Sequence, residues 1–272
     1  MKSKKKIGIV GHGYVGKAMT RFFDDHYDVK IYDTQYSCAE KSWIDDCDVV
    51  FVCVPTPVHP DTGGCDTRIV EEVIDWVESP LIIIKSTVEP GTTDRLKEKT
   101  KKRIVFAPEY CGESSYWTPY KFHTDVKETP FFIFGGDKKD TSECVSLFLP
   151  VTGPVKTYRQ TTAKEAEIAK YVENCFYATK IAFCYEIANL CEKAGADWNE
   201  VRELWLLDPR LNPMHTAVFP ENDRPFGGKC LPKDLKALCQ FGLANGYSPE
   251  LLWSVLQSNE TIGLYRAAKR GG

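Results

Sequence analysis

Short apolar runs recur through the first half of the chain. Ile7–Val10, Val29–Tyr32, Val49–Val54, Leu81–Lys85 and Ile104–Ala107 each read as a strand, with Phe131–Phe134 as a sixth. Helical patterns lie among them at Tyr14–Phe23, Arg68–Val77 and Thr92–Thr100. Alternating strand and helix predicts an α/β fold, a doubly wound, mostly parallel sheet with helices on its faces. The pattern changes near residue 160. Thr162 to Ala194 contains no glycine or proline and reads as one long helix, with Gly195 as its stop. Trp198–Leu207, Lys233–Asn245 and Pro249–Lys269 follow as further helices. The expected division is a sheet domain at 1–158 and an all-α domain, built on the long helix, at 159–272.

Composition narrows the function classes. Lys plus Arg total 35 and Asp plus Glu total 38, a formal charge of −3, so broad nucleic-acid binding is disfavoured. No apolar run reaches the roughly 20 residues that a membrane helix needs. The four lysines within residues 2–6 precede a strand and not a signal-peptide apolar stretch. No membrane partner is expected, and the location is read as cytoplasmic. The 11 cysteines include no C-x-x-C spacing, so a zinc or redox-dithiol site is not expected and no metal is assigned.

The first strand runs into Gly11-His12-Gly13-Tyr14-Val15-Gly16, a G-x-G-x-x-G turn that opens a helix. In that context its glycines serve a tight turn, close approach of backbone to a pyrophosphate, and close helix–strand packing, and the fold becomes Rossmann-like. Asp33 ends the next strand. A carboxylate there accepts hydrogen bonds from ribose hydroxyls and repels a 2′-phosphate, which selects NAD over NADP. Gly11 to Lys17 also fits the start of a P-loop, but Ala18 stands where Ser or Thr must ligate Mg²⁺.

On the long helix, Lys170 and Asn174 are one turn apart and share a face with Ala163, Ala166, Tyr177, Ile181, Cys184 and Ala188. Ile168, Val172, Cys175 and Phe183 make the other side apolar too, the mark of a helix covered on more than one face. A buried ammonium beside an amide needs a partner, and a developing oxyanion is one. On the helix alone, a lysine snorkelling to solvent beside a structural asparagine fits as well. Further on, Phe226-Gly227-Gly228-Lys229-Cys230-Leu231-Pro232-Lys233-Asp234 puts Cys230 near a helix start between two lysines. Both influences favour the thiolate. The other ten cysteines read as small buried hydrophobes.

Taken together, these residues resemble the UDP-glucose/GDP-mannose dehydrogenase family over nearly the whole chain. The glycine turn, Val52-Cys53-Val54-Pro55-Thr56-Pro57, Lys85-Ser86-Thr87-Val88-Glu89-Pro90-Gly91-Thr92-Thr93, Pro108-Glu109-Tyr110-Cys111-Gly112-Glu113-Ser114, Glu167 to Asn174, and the Phe226–Asp234 segment match its motifs in order. The resemblance implies oxidation of a nucleotide sugar's primary alcohol to a carboxylate in two NAD-dependent steps. Asp234 would act through a bound water on the hydroxyl proton, with Lys170 and Asn174 on the oxyanion. Cys230 would form a thiohemiacetal and then a thioester, hydrolysed with Glu109 as base and Thr87 holding the water. The resemblance further places Gly11, Gly13, Tyr14, Val15, Gly16, Asp33, Pro55, Thr56, Thr87 and Glu113 at NAD. It places Tyr110, Lys170, Asn174, Phe226, Gly227, Gly228 and Lys233 at substrate, with Arg210 reaching the substrate of a neighbouring subunit. Helix 162–194 would form a homodimer interface.

The chain departs from the family in three places. The stretch from Asp33 to Asp48 is short, the loop before Phe226 is trimmed, and Gly272 comes where the family continues into a third domain. That domain would be supplied by another chain or dispensed with. Two other readings stay open. One is a single-step 3-hydroxyacid-type dehydrogenase, which has no need of Cys230. The other is a non-catalytic NAD-binding subunit that needs a partner chain.

Overall fold

The computed structural model describes residues 4–112, 124–219, 222 and 224–270. Two compact units emerge. One comprises Met1–Pro57 with Cys65–Lys170, and the other Val58–Gly64 with Tyr171–Gly272.

The first unit is built on a seven-stranded sheet among the described residues: β1 (Lys6–Val10), β2 (Asp28–Tyr32), β3 (Val49–Val52), β4 (Ile82–Ile84), β5 (Ile104–Phe106), β6 (Phe131–Gly135) and β7 (Thr157–Thr161). The order is β2-β1-β3-β4-β5-β6-β7. The first five strands are parallel, and β6 meets β5 antiparallel through Phe106 and Gly135. Strand periodicity sorts the core onto two faces. Ile7, Ile9, Val49, Phe51, Ile83 and Val105 pack with α1 (Tyr14–Phe23) and α5 (Lys138–Thr152). Val10, Val50, Val52, Ile82, Ile84 and Phe106 pack on the other side with α3 (Arg68–Trp76) and α4 (Thr92–Thr100). Strands covered on both faces read as unbroken apolar runs, which is why the sequence shows them so clearly.

Three elements were not expected. Strand β7 is Thr-Tyr-Arg-Gln-Thr, largely exposed, and forms by pairing parallel to β6 at the sheet edge, with no apolar run to signal it. Helix α5 carries Pro150 in its last turn and buries only Asp140, Thr141, Cys144, Leu147 and Phe148, a stripe diluted by serine and threonine. The one-turn helix α2 (Ser42–Asp45) also lay unseen in the short segment after Asp33. Strands β3 and β4 end at Val52 and Ile84, short of the Val54 and Lys85 expected. The residues just beyond them therefore stand at the carboxyl edge of the sheet.

The long helix α6 runs from Ala163 to Ala194, as the absence of glycine and proline implied. Its first turns belong to the first unit. There Glu167, fully buried, accepts the amides of Gly91 (2.5 Å) and Thr93 (2.9 Å) and so satisfies the start of α4. Burial raises its carboxyl, and the hydrogen bonds from Thr93 and Gly91 only partly offset this. In the second unit, Cys175, Ala178 and Ala182 of α6 pack with Phe226, Leu235 of α8 (Leu231–Ala244) and Val255 of α9 (Glu250–Arg270). Farther along, Cys184 and Cys191 pack with Trp198 of α7 (Trp198–Trp205). Cys175, grouped with Val172 and Phe183 on the second apolar face of α6, is thus a core residue, whereas Val172 and Phe183 are more than half exposed.

Glu167→Ala strips two buried amides of their acceptor. It should cost about 2–4 kcal/mol in urea unfolding, and a loss within error of zero would show that α4 does not depend on this contact.

Candidate active site

In the first unit, the site begins where β1 ends. Gly11 takes φ +87°, and a Cβ there would come within 2.7 Å of the Cys53 carbonyl oxygen. At Gly16 a Cβ would lie 2.0 Å from the Gly11 oxygen, so only glycine lets α1 start this close to the turn. Gly13 is different: it is exposed, φ is −72°, and a Cβ would meet nothing within 4 Å. No side chain caps α1 at this residue. Its first-turn amides are thus available to an anion. Asp33, one residue past β2, accepts the His12 amide at 2.6 Å and the Gln35 amide at 2.8 Å, which holds its carboxylate beside the turn. Tyr14 donates its hydroxyl to the Gly112 carbonyl, and Val15 is half-buried against the core. Thr56 is buried and Pro55 exposed just beyond β3. The Ser86 hydroxyl donates to the Val54 carbonyl at 2.7 Å, linking the turn after β4 to the loop after β3, and half-buried Thr87 follows it. An open glycine at an uncapped helix start, with a carboxylate fixed beside it at the switch point between β1 and β3, fits a dinucleotide. Glu113 lies outside the described residues.

A second cluster stands at the ends of β4 and β5. Lys85 is buried, and its Nζ donates to the Pro108 carbonyl at 3.0 Å and lies 3.0 Å from Oε2 of Glu109. Oε1 of Glu109 accepts the amides of Tyr110 (2.8 Å) and Cys111 (2.9 Å). Burial alone would raise this carboxyl. The Lys85 ammonium and the two amides outweigh it and hold Glu109 below the usual carboxylate range. The Nζ of Lys170, itself buried, sits 4.8 Å from the centre of the Tyr110 ring, a cation–π contact. Three residues singled out in the sequence, Glu109, Tyr110 and Lys170, are therefore neighbours, together with one that was not, Lys85.

In the second unit, Asp234 is almost fully buried and serves as a hub. It accepts Nδ2 of Asn174 at 2.6 Å on one oxygen and Nζ of Lys233 at 2.5 Å on the other. Cys230 is the N-cap residue of α8, with Pro232 in the first turn, and its thiol is exposed. Gly227 and Gly228 before it are exposed, and Gly228 takes φ +73°. Phe226 is buried and its amide donates to Asn259 of α9 at 3.0 Å, which anchors the segment. Eight of the other cysteines are buried and contrast with Cys230, whereas Cys38, expected to be buried, is exposed and Cys111 is half-buried. Burial pushes the thiols of Cys53 and Cys175 up to about 12, and those of Cys47, Cys184 and Cys239 up to about 11. Such thiols stay protonated and inert. Arg210 is exposed and pairs with Asp208 of its own turn, Nη2 to Oδ2 at 2.5 Å.

Two family models match the chain. The NAD binding domain of the UDP-glucose/GDP-mannose dehydrogenase family covers residues 29–148, and the central domain of the same family covers residues 164–261. The chain belongs to the UDP-glucose/GDP-mannose dehydrogenase family. Its cofactor is NAD. Among relatives of this family member, the UDP-glucose 6-dehydrogenase of Rickettsia bellii is 30% identical over 78% of the chain and 49% of its own length. The chain thus spans about half the length of such curated relatives. The structure of a UDP-glucose dehydrogenase from Pyrobaculum islandicum superimposes with a TM-score of 0.80 at 25% identity, covering 95% of this chain and 68% of that one. A 3-hydroxyisobutyrate dehydrogenase of Mycobacterium tuberculosis shares the fold at a TM-score of 0.68 and 18% identity, covering 93% of this chain and 92% of that one. No helix among the described residues is long and apolar enough to cross a membrane.

Lys85, Glu167 and Asn259 carry no role in the reading of the sequence. A signal existed for the first. A lysine that closes a fully apolar strand is buried with it and must meet a counter-charge. Nothing local marks Asn259, whose partner is 33 residues away.

In this family member, Gly13→Ala should leave the unfolding free energy within about 0.5 kcal/mol, because the added methyl enters open space. The same methyl should weaken NAD binding about tenfold, near 1.4 kcal/mol by isothermal titration. Unchanged NAD affinity would place the pyrophosphate elsewhere.

Proposed function

We propose that the chain is an NAD-dependent nucleotide-sugar dehydrogenase that carries a primary alcohol through the aldehyde to the carboxylate, with Cys230 as nucleophile. One observation carries this reading most directly: the Asn174–Asp234–Lys233 network lies in the same unit as an exposed cysteine that caps the start of α8. A single-step hydroxyacid oxidation has no use for that thiol. Membership of the family supports the same choice.

NAD, when bound, accepts a hydride in each oxidation. Gly11, Gly13, Gly16 and the start of α1 would hold its pyrophosphate and Asp33 its ribose, with Tyr14, Val15, Pro55, Thr56 and Thr87 along it. Asp234 accepts a hydrogen bond from the Asn174 amide and so orients it, and it would take the hydroxyl proton through a water. Lys170 supplies positive charge for the oxyanion. Cys230, as thiolate, adds to the aldehyde carbon, and loss of hydride from that adduct leaves a thioester. Water then attacks the acyl carbon, Glu109 takes its proton, and the C–S bond breaks to return the Cys230 thiolate. Tyr110, Phe226, Gly227, Gly228 and Lys233 are assigned to the substrate. Arg210 is assigned to that of a neighbouring subunit, which requires it to release Asp208.

The partner is a second copy of this chain. Val172, Phe176, Phe183 and Leu190 form an apolar row on α6 with exposures of 54, 61, 51 and 59%. Apolar side chains in such a row are those an isologous interface buries. Joint Phe176→Asp and Phe183→Asp substitution should halve the mass measured by sedimentation. A wild-type monomer at micromolar concentration would sink the dimer.

The activity is tested by following NADH with UDP-glucose, GDP-mannose and related nucleotide sugars. Two NADH per sugar are expected from the wild type. Cys230→Ser should stop at one, with an aldehyde trapped by a carbonyl reagent. Full turnover by the serine variant would favour a single-step reaction or another nucleophile.

A further inference from the structure

We propose that Lys85 is a positioning residue for Glu109: its buried ammonium fixes the carboxylate in place and in its ionised form for the hydrolytic half of the reaction. This rests on the activity proposed above, in which Glu109 takes the proton of the attacking water.

The geometry comes from the sheet. Ile84 of β4 pairs with Phe106 of β5 in parallel register, so the residues that follow, Lys85 on one strand and Ala107-Pro108-Glu109 on the next, leave the sheet side by side. The Lys85 ammonium meets the Pro108 carbonyl and Oε2 of Glu109, both at 3.0 Å. Oε1 is occupied by two backbone amides. Rotation of the carboxylate would break three contacts at once. Both side chains are at least nine-tenths buried. The cavity beside them, bounded by Lys85, Pro108, Glu109 and Thr129, has a volume of about 10 Å³. That is room for one water at most, so bulk solvent does not screen the pair.

Among the described residues, no other charge of comparable strength acts on Glu109. The thiols of Cys53 and Cys111 face the pair, and both are held neutral by burial; the Cys111 thiol also hydrogen-bonds Glu109. Asp125 acts on Cys111. On the other side the Tyr110 ring stands against Lys170. Among the described residues, Lys85 is thus the cation in direct contact with Glu109, and it holds the carboxylate ionised. In the hydrolytic step a water O–H bond breaks, its proton goes to Glu109, its oxygen bonds to the acyl carbon, and the thiolate leaves. A protonated Glu109 cannot accept that proton, so hydrolysis fails wherever Glu109 is neutral.

The test is the pH profile of uronate release, together with mass spectrometry of acid-quenched protein to detect acyl–Cys230. The wild type should hydrolyse without an acidic limb down to about pH 5. Lys85→Met should move that limb up by one unit or more, since an opposite charge at this distance shifts a carboxylate by about 1–3 units. It should also accumulate acyl–Cys230 at mildly acidic pH. Lys85→Arg should restore part of the shift. Profiles of the same shape for wild type and Lys85→Met, differing only by a constant factor, would overturn the assignment. A second readout needs no turnover. Because Glu109 is depressed in the folded state, its ionisation stabilises the fold above the unfolded carboxylate range, and that stability is lost as pH falls through the folded value. The loss of melting temperature on acidification should therefore be smaller in Lys85→Met, which lacks the cation that depresses Glu109, than in the wild type, and the difference should vanish in a Glu109→Gln background. A difference that persists with Glu109→Gln would also overturn it. If the wild type reduces no NAD with any nucleotide sugar, the proposed activity fails, and Lys85 is judged on melting alone.

Discussion

Parallel strand pairing is the constraint on which the first unit depends. β1, β3, β4 and β5 are covered by helices on both faces, so they must be apolar along their whole length. Polar chemistry is then pushed to the strand ends. All carboxyl ends of parallel strands point the same way, and so Gly11, Thr56, Lys85 and Glu109, which lie far apart in sequence, collect along one edge. The glycine turn exploits this edge through backbone geometry, whereas the Lys85–Glu109 pair exploits it through charge.

That pair is better regarded as a device for function than for stability. Taking two charges out of water costs several kcal/mol per ion, and their attraction returns this only when the remaining hydrogen-bonding capacity is met. Here it is met by the Pro108 carbonyl on one side and two amides on the other. An apolar pair of similar volume would serve packing about as well, but would leave no fixed carboxylate at the sheet edge. Asp234 is arranged on the same logic in the second unit. It is buried, divided between an amide and an ammonium, and thereby orients both. In each case a buried ion pair fixes the direction of a group assigned to the proposed reaction, Glu109 in the first unit and Asn174 and Lys233 in the second.

Helix α6 shows how one long element can answer to several demands. Near its start, Glu167 holds the opening of α4, and one turn later Lys170 meets Tyr110. Asn174 reaches Asp234 a further turn on. The helix carries buried Cys175, Ala178 and Ala182 on one side and exposed Val172, Phe176 and Phe183 on another. A sequence with apolar residues around much of its circumference is what such a helix requires.

Local physics was enough to reveal the two-part fold class, the glycine turn, the long helix and the place of Cys230 at a helix start, because each is written in consecutive residues or in helical and strand periodicity. Unbroken apolar runs mark buried strands, and thirty-odd residues without glycine or proline mark one helix. What the sequence alone could not decide was who meets whom. Strand β7 exists because β6 offers an open edge, and nothing in Thr-Tyr-Arg-Gln-Thr announces it. The sidedness of α6, with Cys175 inside and Val172 outside, depends on which helices pack against it. Lys85 is visible as a lysine at the end of a strand, but its partner is set by the register between β4 and β5, a long-range choice that no local pattern contains.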